Sequence, residues 1–155
     1  MERQRLGLGR NTLLAISLLY AAAVVMITVV PMRVTTDKLT RVNVVPLASV
    51  AACINTADGR HIPRRCIGNV LGNVLLFVPF GVVFTAMTRR YGSPVFLVIT
   101  ASLLSTSIEA IQYAERTVPI GRTVDIDDVL WNTLGAYIGF AILRTWRQRV
   151  VAPPR

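Results

Sequence analysis

Four apolar stretches, at residues 12–30, 67–87, 94–113 and 128–144, are each close to the roughly 20 residues a helix needs to cross a bilayer. A soluble domain of 155 residues has no interior large enough to hide four such segments, and 53% of this chain is hydrophobic. The fold class they dictate is all-α: a polytopic membrane protein, a single domain over 1–155, with four transmembrane helices and a long extracytoplasmic connection after the first. The placement of polar residues then adds a second constraint. Asn69 and Asn73 sit near the start of the second stretch, Glu109 and Gln112 near the end of the third, and Asp128 and Asn132 at the start of the fourth. A charge at mid-depth costs about 2.5–3.5 kcal/mol on insertion scales, so acids and amides in such segments are read as a site before they are read as packing.

The formal net charge of +9 would, in a soluble protein, raise the question of nucleic acid. No basic stripe with interleaved aromatic residues occurs and no nucleic-acid motif does, so that partner is set aside. The arginines gather at the ends of the apolar stretches, where they meet the headgroups of membrane lipids and set orientation. Nine of the 17 basic residues lie in the amino terminus, the Arg89-Arg90 turn and the tail, which are the shorter connections. The other eight are spread over longer connections beside most of the acids. This density bias predicts a multi-pass protein of the cell membrane with both termini cytoplasmic.

The first stretch has a competing reading, a secretory signal cut at Ala21-Ala22-Ala23. The apolar run continues through Val30, however, so cleavage would bisect a good membrane helix. In the connection that follows, residues 42–52 are apolar but short and contain Pro46, which fits a re-entrant or interfacial piece. Cys53 and Cys66 form one disulfide if this connection faces an oxidising compartment, or stay as two thiols; spacing alone does not separate the two. His61, beside Arg60, reads as a solvated loop residue. In the second stretch Pro79 removes a backbone hydrogen bond and predicts a kink near residues 75–77. Gly68 and Gly72 offer a small-residue face at four-residue spacing.

Helical periodicity draws the polar residues together. Ser102, Ser105, Glu109 and Gln112 fall on one stripe of the third helix, and Asp128, Asn132, Gly135 and Gly139 on one stripe of the fourth. At 1.5 Å per residue, Glu109 lies roughly 22 Å from the helix start near Pro94, past the middle of a hydrocarbon core of about 30 Å. Asn73, Asp128 and Asn132 lie near the same surface, beneath the connection that carries Arg122 and Asp125. Structural alternatives stand beside the functional reading. The serines, Asn69 and Asn73 suit helix-to-helix hydrogen bonding. Asp127 and Asp128 suit caps at a helix start, and Glu109 suits an ion pair with Arg122 or Arg116.

The ordered set Glu109-x-x-Gln112, then Arg122-x-x-Asp125-x-x-Asp128-x-x-x-Asn132-x-x-Gly135, resembles the signature of VanZ-like membrane proteins. Upstream, Asn73-Val-Leu-Leu-Phe77-Val-Pro79-Phe-Gly81 resembles the second-helix motif of that family, and Asn43-Val-Val-Pro46-Leu its loop motif after the first helix. The resemblance implies a four-helix membrane protein of the type linked to resistance against the lipoglycopeptide teicoplanin. Asp127 and the two cysteines depart from the pattern.

Two functions follow as expectations. As an enzyme, the cluster would use Glu109 as general acid or base and Arg122 to hold a phosphate or carboxylate. Asp128 would orient a nucleophile or, with Asp125, a divalent ion, and Gln112, Asp125, Asn132 and Asn73 would contact the substrate. No nucleophile motif, metal-ligand pattern, phosphate loop or cofactor signature is present. As a binding module, the same residues would hold the polar head of a lipid-linked envelope precursor or a lipoglycopeptide with no bond broken. A transporter needs a pathway through the inner half, for which a homodimer joined at the Gly135/Gly139 face is the available source.

Overall fold

The structure is a computed structural model in which residues 10–28, 42–55, 64–88, 93–114 and 124–151 are described. These form, in order, α1 (Arg10–Thr28), β1 (Val42–Asn43), α2 (Ala48–Asn55), α3 (Arg64–Met87), α4 (Pro94–Ala114), β2 (Val124–Asp125) and α5 (Ile126–Val151). The described residues are all-α apart from one two-residue pairing. Among them, three helices are long and apolar enough to cross a membrane: Asn11–Thr28, Cys66–Met87 and Pro94–Ala114. Helix α5 is longer still at 26 residues, but carries acids in its first turn and Arg144, Arg147 and Arg149 towards its end. Arg122, Arg116, His61 and the Arg89-Arg90 turn lie outside the described residues.

Helices α3 and α5 form the centre of the bundle and run parallel. Their backbones touch at three places where glycine stands on one of the two helices. A Cβ added to Gly135 would lie 2.1 Å from the Val74 carbonyl oxygen, one on Gly139 2.0 Å from that of Val78, and one on Gly81 1.9 Å from that of Ala136. The four-residue spacing on both helices gives the close contact its register. This corrects two expectations. The Gly135/Gly139 face is consumed inside the chain and is not free to join a second copy. Gly68 and Gly72 meet nothing within 4 Å, so the small-residue face on α3 that packs is the deeper one at Gly81.

Around this pair α4 and α1 run the other way. The buried apolar centre consists of Val24, Phe77, Leu97, Ala101, Ile108, Ala136 and Phe140, with Tyr20, Leu76, Phe80 and Phe84 packed against it. The outward faces are apolar too: Leu18, Leu19, Leu75, Val95 and Leu103 are all exposed, as residues facing acyl chains are. Threonines inside these helices satisfy their hydroxyls on the carbonyl four residues back, as Thr28 does on Val24 and Thr85 on Gly81, both at 2.6 Å.

Pro79 lies inside α3, leaves the Leu75 carbonyl without its amide donor and crowds the turn before it. Tyr20 of α1 reaches that weak point. Its hydroxyl donates to the Leu76 carbonyl at 2.8 Å, next to the interruption. Membrane helices tolerate proline where neighbouring groups serve the backbone around it.

Candidate polar site at one end of the bundle

The polar stripes of α3, α4 and α5 and the segment 42–55 meet at the end of the bundle where α3 and α5 begin. The segment is built for its place. Val45, Pro46, Leu47 and Ala48 form a turn closed by the Ala48 amide on the Val45 carbonyl at 3.2 Å. Pro46 supplies the fixed φ that a type II turn needs at its second position, and Leu47 takes the left-handed third position with φ 63°. Helix α2 then starts at once, and its last turn is fastened to the first turn of α3 by a disulfide between Cys53 and Cys66. The open question left by cysteine spacing is thus answered. The short apolar piece at 42–52 is a strand, a turn and most of an eight-residue helix, with no buried residue in α2.

Asp125 and Asp127 hold this strap from below. β1 and β2 pair in parallel, with Asn43 opposite Asp125. The Asn43 carboxamide donates to Asp125 Oδ1 at 2.8 Å and the Ser49 hydroxyl donates to Asp125 Oδ2. Asp127, fully buried, accepts the Leu47 amide on one oxygen and the Ser49 amide on the other, the latter at 3.0 Å. It therefore caps α2, 78 residues earlier in the chain, and its negative charge sits at the positive end of that helix. A cap at the start of α5 was the alternative reading of this residue; the carboxylate serves a different helix.

The residues expected to form the site divide into neighbouring groups. Glu109 is buried in the bundle at 7% exposure, and its Oε2 accepts the Asp125 backbone amide at 3.2 Å. Asp128 turns the other way, to α3: its Oδ1 accepts Asn73 Nδ2 at 2.6 Å and Asn69 Nδ2 at 3.0 Å. Asn132, one turn deeper and 4% exposed, donates to the Ser105 hydroxyl on α4 at 2.8 Å. Its Oδ1 is buried with no hydrogen-bond partner. One rung deeper again, the Ser102 and Thr133 hydroxyls pair at 3.1 Å. Gln112 stands apart from these groups: it donates to the Thr28 carbonyl at 2.8 Å and ties the end of α4 to the end of α1. Arg122 falls outside the described residues.

So Glu109, Asp125, Asp128, Asn132 and Asn73 gather at one end, though Glu109 and Asp128 serve different partners. Sequence reasoning passed over Asn43, Ser49 and Asp127 as site residues and left Asn69 with the packing. Asn43 stood inside a recognised motif, and Asp127 was noted as an added acid beside Asp128. Ser49 carried no signal, because its role depends on a contact with a distant part of the chain.

Long apolar helices packed backbone to backbone, with acids and amides collected at one end under a disulfide-fastened strap, define a helical membrane protein. The VanZ/LLP1 family model matches residues 17–147, most of the chain, and the chain belongs to that family. No curated protein and no solved structure matches it.

Proposed function

We propose that this VanZ-family membrane protein binds the polar part of a cell-envelope component in an outer-leaflet pocket formed by the polar end of the bundle, and that it breaks no bond there. The observation that carries this reading is the state of the aspartates. Both oxygens of Asp125 and of Asp127 are engaged by neutral donors of the chain itself, and Asp128 is held by two carboxamides. With both oxygens engaged, Asp125 and Asp127 support the reading that they shape a surface rather than shuttle protons, and the one open oxygen of Asp128 is left to accept a hydrogen bond from what is bound.

The orientation that suits this function has four spans, with α5 as the fourth, and both termini in the cytoplasm. The Cys53–Cys66 bridge supports it, because disulfides persist in oxidising compartments and this one lies at the polar end. The arginines at the far end of α5 support it through the preference for basic residues on the cytoplasmic side. The role that the family resemblance suggests, protection against teicoplanin-type glycopeptides, would then follow from occupying an envelope molecule at the outer surface.

The test is expression in a teicoplanin-susceptible bacterial host, with the inhibitory concentration and the composition of envelope lipids and peptidoglycan precursors both measured. The expected result is a raised inhibitory concentration with unchanged composition, lost in Asp128→Leu and kept in Glu109→Gln at equal protein level. A covalent change in lipid or precursor that disappears in Glu109→Gln would replace binding with catalysis. No change in susceptibility would remove the resistance role.

A further inference from the structure

The groups left open at the polar end differ in kind from those already satisfied. Among the described residues, Asp128 Oδ2, the side-chain oxygens of Asn69 and Asn73, and Asn132 Oδ1 accept no hydrogen bond, whereas the amide nitrogens of all three asparagines are engaged. What is on offer is mostly acceptors. Asn69 is exposed and Asp128 and Asn73 are half-buried, so water serves the outer acceptors. Asn132 Oδ1 is different. It is sealed from solvent, and a buried acceptor without a donor carries the full cost of its lost hydration.

Asn132 lies one turn below Asp128 on the same face of α5, so the orphaned oxygen and the open oxygen of Asp128 form a line running inward from the surface. The approach along α3 is unobstructed at its start: Gly68 and Gly72, each one residue before Asn69 and Asn73, are exposed, and a Cβ on either would meet nothing within 4 Å among the described residues. Of the three half-satisfied amides, only that of Asn132 has its open oxygen out of reach of water, so it gains most when a new donor arrives.

Resting on the binding function proposed above, we infer that the headgroup this site takes is a neutral, hydroxyl-rich one, a sugar on a lipid, rather than an exposed phosphate. Its hydroxyls donate to Asp128 Oδ2 and to the oxygens of Asn69 and Asn73, and where the Ser105–Asn132 rung gives way the deepest supplies the donor that Asn132 lacks. A phosphate group is disfavoured by the same feature, because its oxygens accept hydrogen bonds, as do the open atoms of Asp128, Asn69, Asn73 and Asn132, and acceptor facing acceptor gains nothing. A compact cation fits less well, since the open acceptors are strung out along two helices instead of converging on one point.

The full chain in detergent is offered three lipids with identical acyl chains: a monoglucosyl diacylglycerol, the bare diacylglycerol and phosphatidylglycerol. Native mass spectrometry reads which are retained. The sugar lipid is expected to be held about tenfold more than either of the others, the ratio a single good hydrogen bond supplies. Asn132→Leu is expected to erase most of that preference without lowering the unfolding temperature, because it also removes the unmet acceptor. Equal retention of the three lipids overturns the inference, as does full sugar-lipid retention by Asn132→Leu. Preferred retention of phosphatidylglycerol overturns it while leaving a binding pocket in place. Retention of none removes the pocket as well. The comparison of lipids on the unaltered chain decides the matter even if the variant does not fold.

Discussion

Ser49 donates its backbone amide to the Asp127 carboxylate at 3.0 Å, so the first turn of α5 holds the first turn of α2. Replacing Asp127 with alanine leaves two amides at the start of α2 without an acceptor. The expected cost is about 1–2 kcal/mol, the upper range for loss of a helix cap. Hydrogen exchange at residues 44–55 should accelerate while that of α3 and α5 is unchanged. Uniform exchange across the chain would show that the cap is not what holds the strap.

Leu47 adopts φ 63°, a conformation that costs a side-chain-bearing residue about 1 kcal/mol. The side chain is half exposed and contributes little burial. Leu47→Gly should therefore raise the unfolding temperature, by an amount equivalent to about 0.5–1 kcal/mol. Leu47→Val should lower it, because a β-branched residue tolerates this conformation least. The opposite order would mean the Leu47 side chain packs against something more valuable than the strain it bears.

Gly139→Ala places a methyl group 2.0 Å from the Val78 carbonyl oxygen and must push α3 from α5. Overpacking of this kind costs about 1–3 kcal/mol. Gly68→Ala meets nothing and replaces a poor helix former, so it should be neutral or stabilising by up to about 1 kcal/mol. Thermal unfolding of the two variants in one detergent compares them directly. Equal effects would contradict the close approach.

Tyr20→Phe deletes the hydroxyl that meets α3 next to the interruption at Pro79, with an expected loss of about 1 kcal/mol. The loss should shrink in a Pro79→Ala background, where removing the ring relieves the crowded turn and lets the Phe80 amide serve the Leu76 carbonyl unhindered. A double-mutant cycle measures this coupling. Strict additivity would separate Tyr20 from the proline.

The Cys53–Cys66 bridge makes the orientation testable. In intact cells, a membrane-impermeant maleimide should label neither cysteine before treatment with an impermeant reductant and both after it. Labelling that requires permeabilised cells would place the polar end in the cytoplasm and reverse the topology proposed above.

Much of the architecture is legible in the residue pattern. The four apolar stretches coincide with α1, α3, α4 and α5 to within a few residues, apart from longer ends on α3 and α5, and the Ser105–Glu109 stripe lies inward because burial on a helix repeats with its turn. The gathering of Asn73, Asp128 and Asn132 at one end follows from the same periodicity plus helix length. What escaped was the pairing. Whether Asp128 turns to α3 or α4, or Asp127 to its own helix or another, depends on rotations of a few tens of degrees that hydropathy does not encode. The glycines were misassigned for a related reason: Gly68/Gly72 and Gly135/Gly139 share one spacing, and only the neighbouring helix tells which pair is covered.

With carbonyl oxygens standing where methyl groups would otherwise be, α3 and α5 have no side-chain layer between them at Gly81, Gly135 and Gly139 to slide upon. They form a stiff spar, and rearrangement on ligand capture has to come from the partners that grip it through side chains. Helix α4 carries half of the polar seam, and α1 is joined to the spar by little more than Tyr20 and a few apolar contacts. The bundle is therefore built as a fixed mast with two yielding stays.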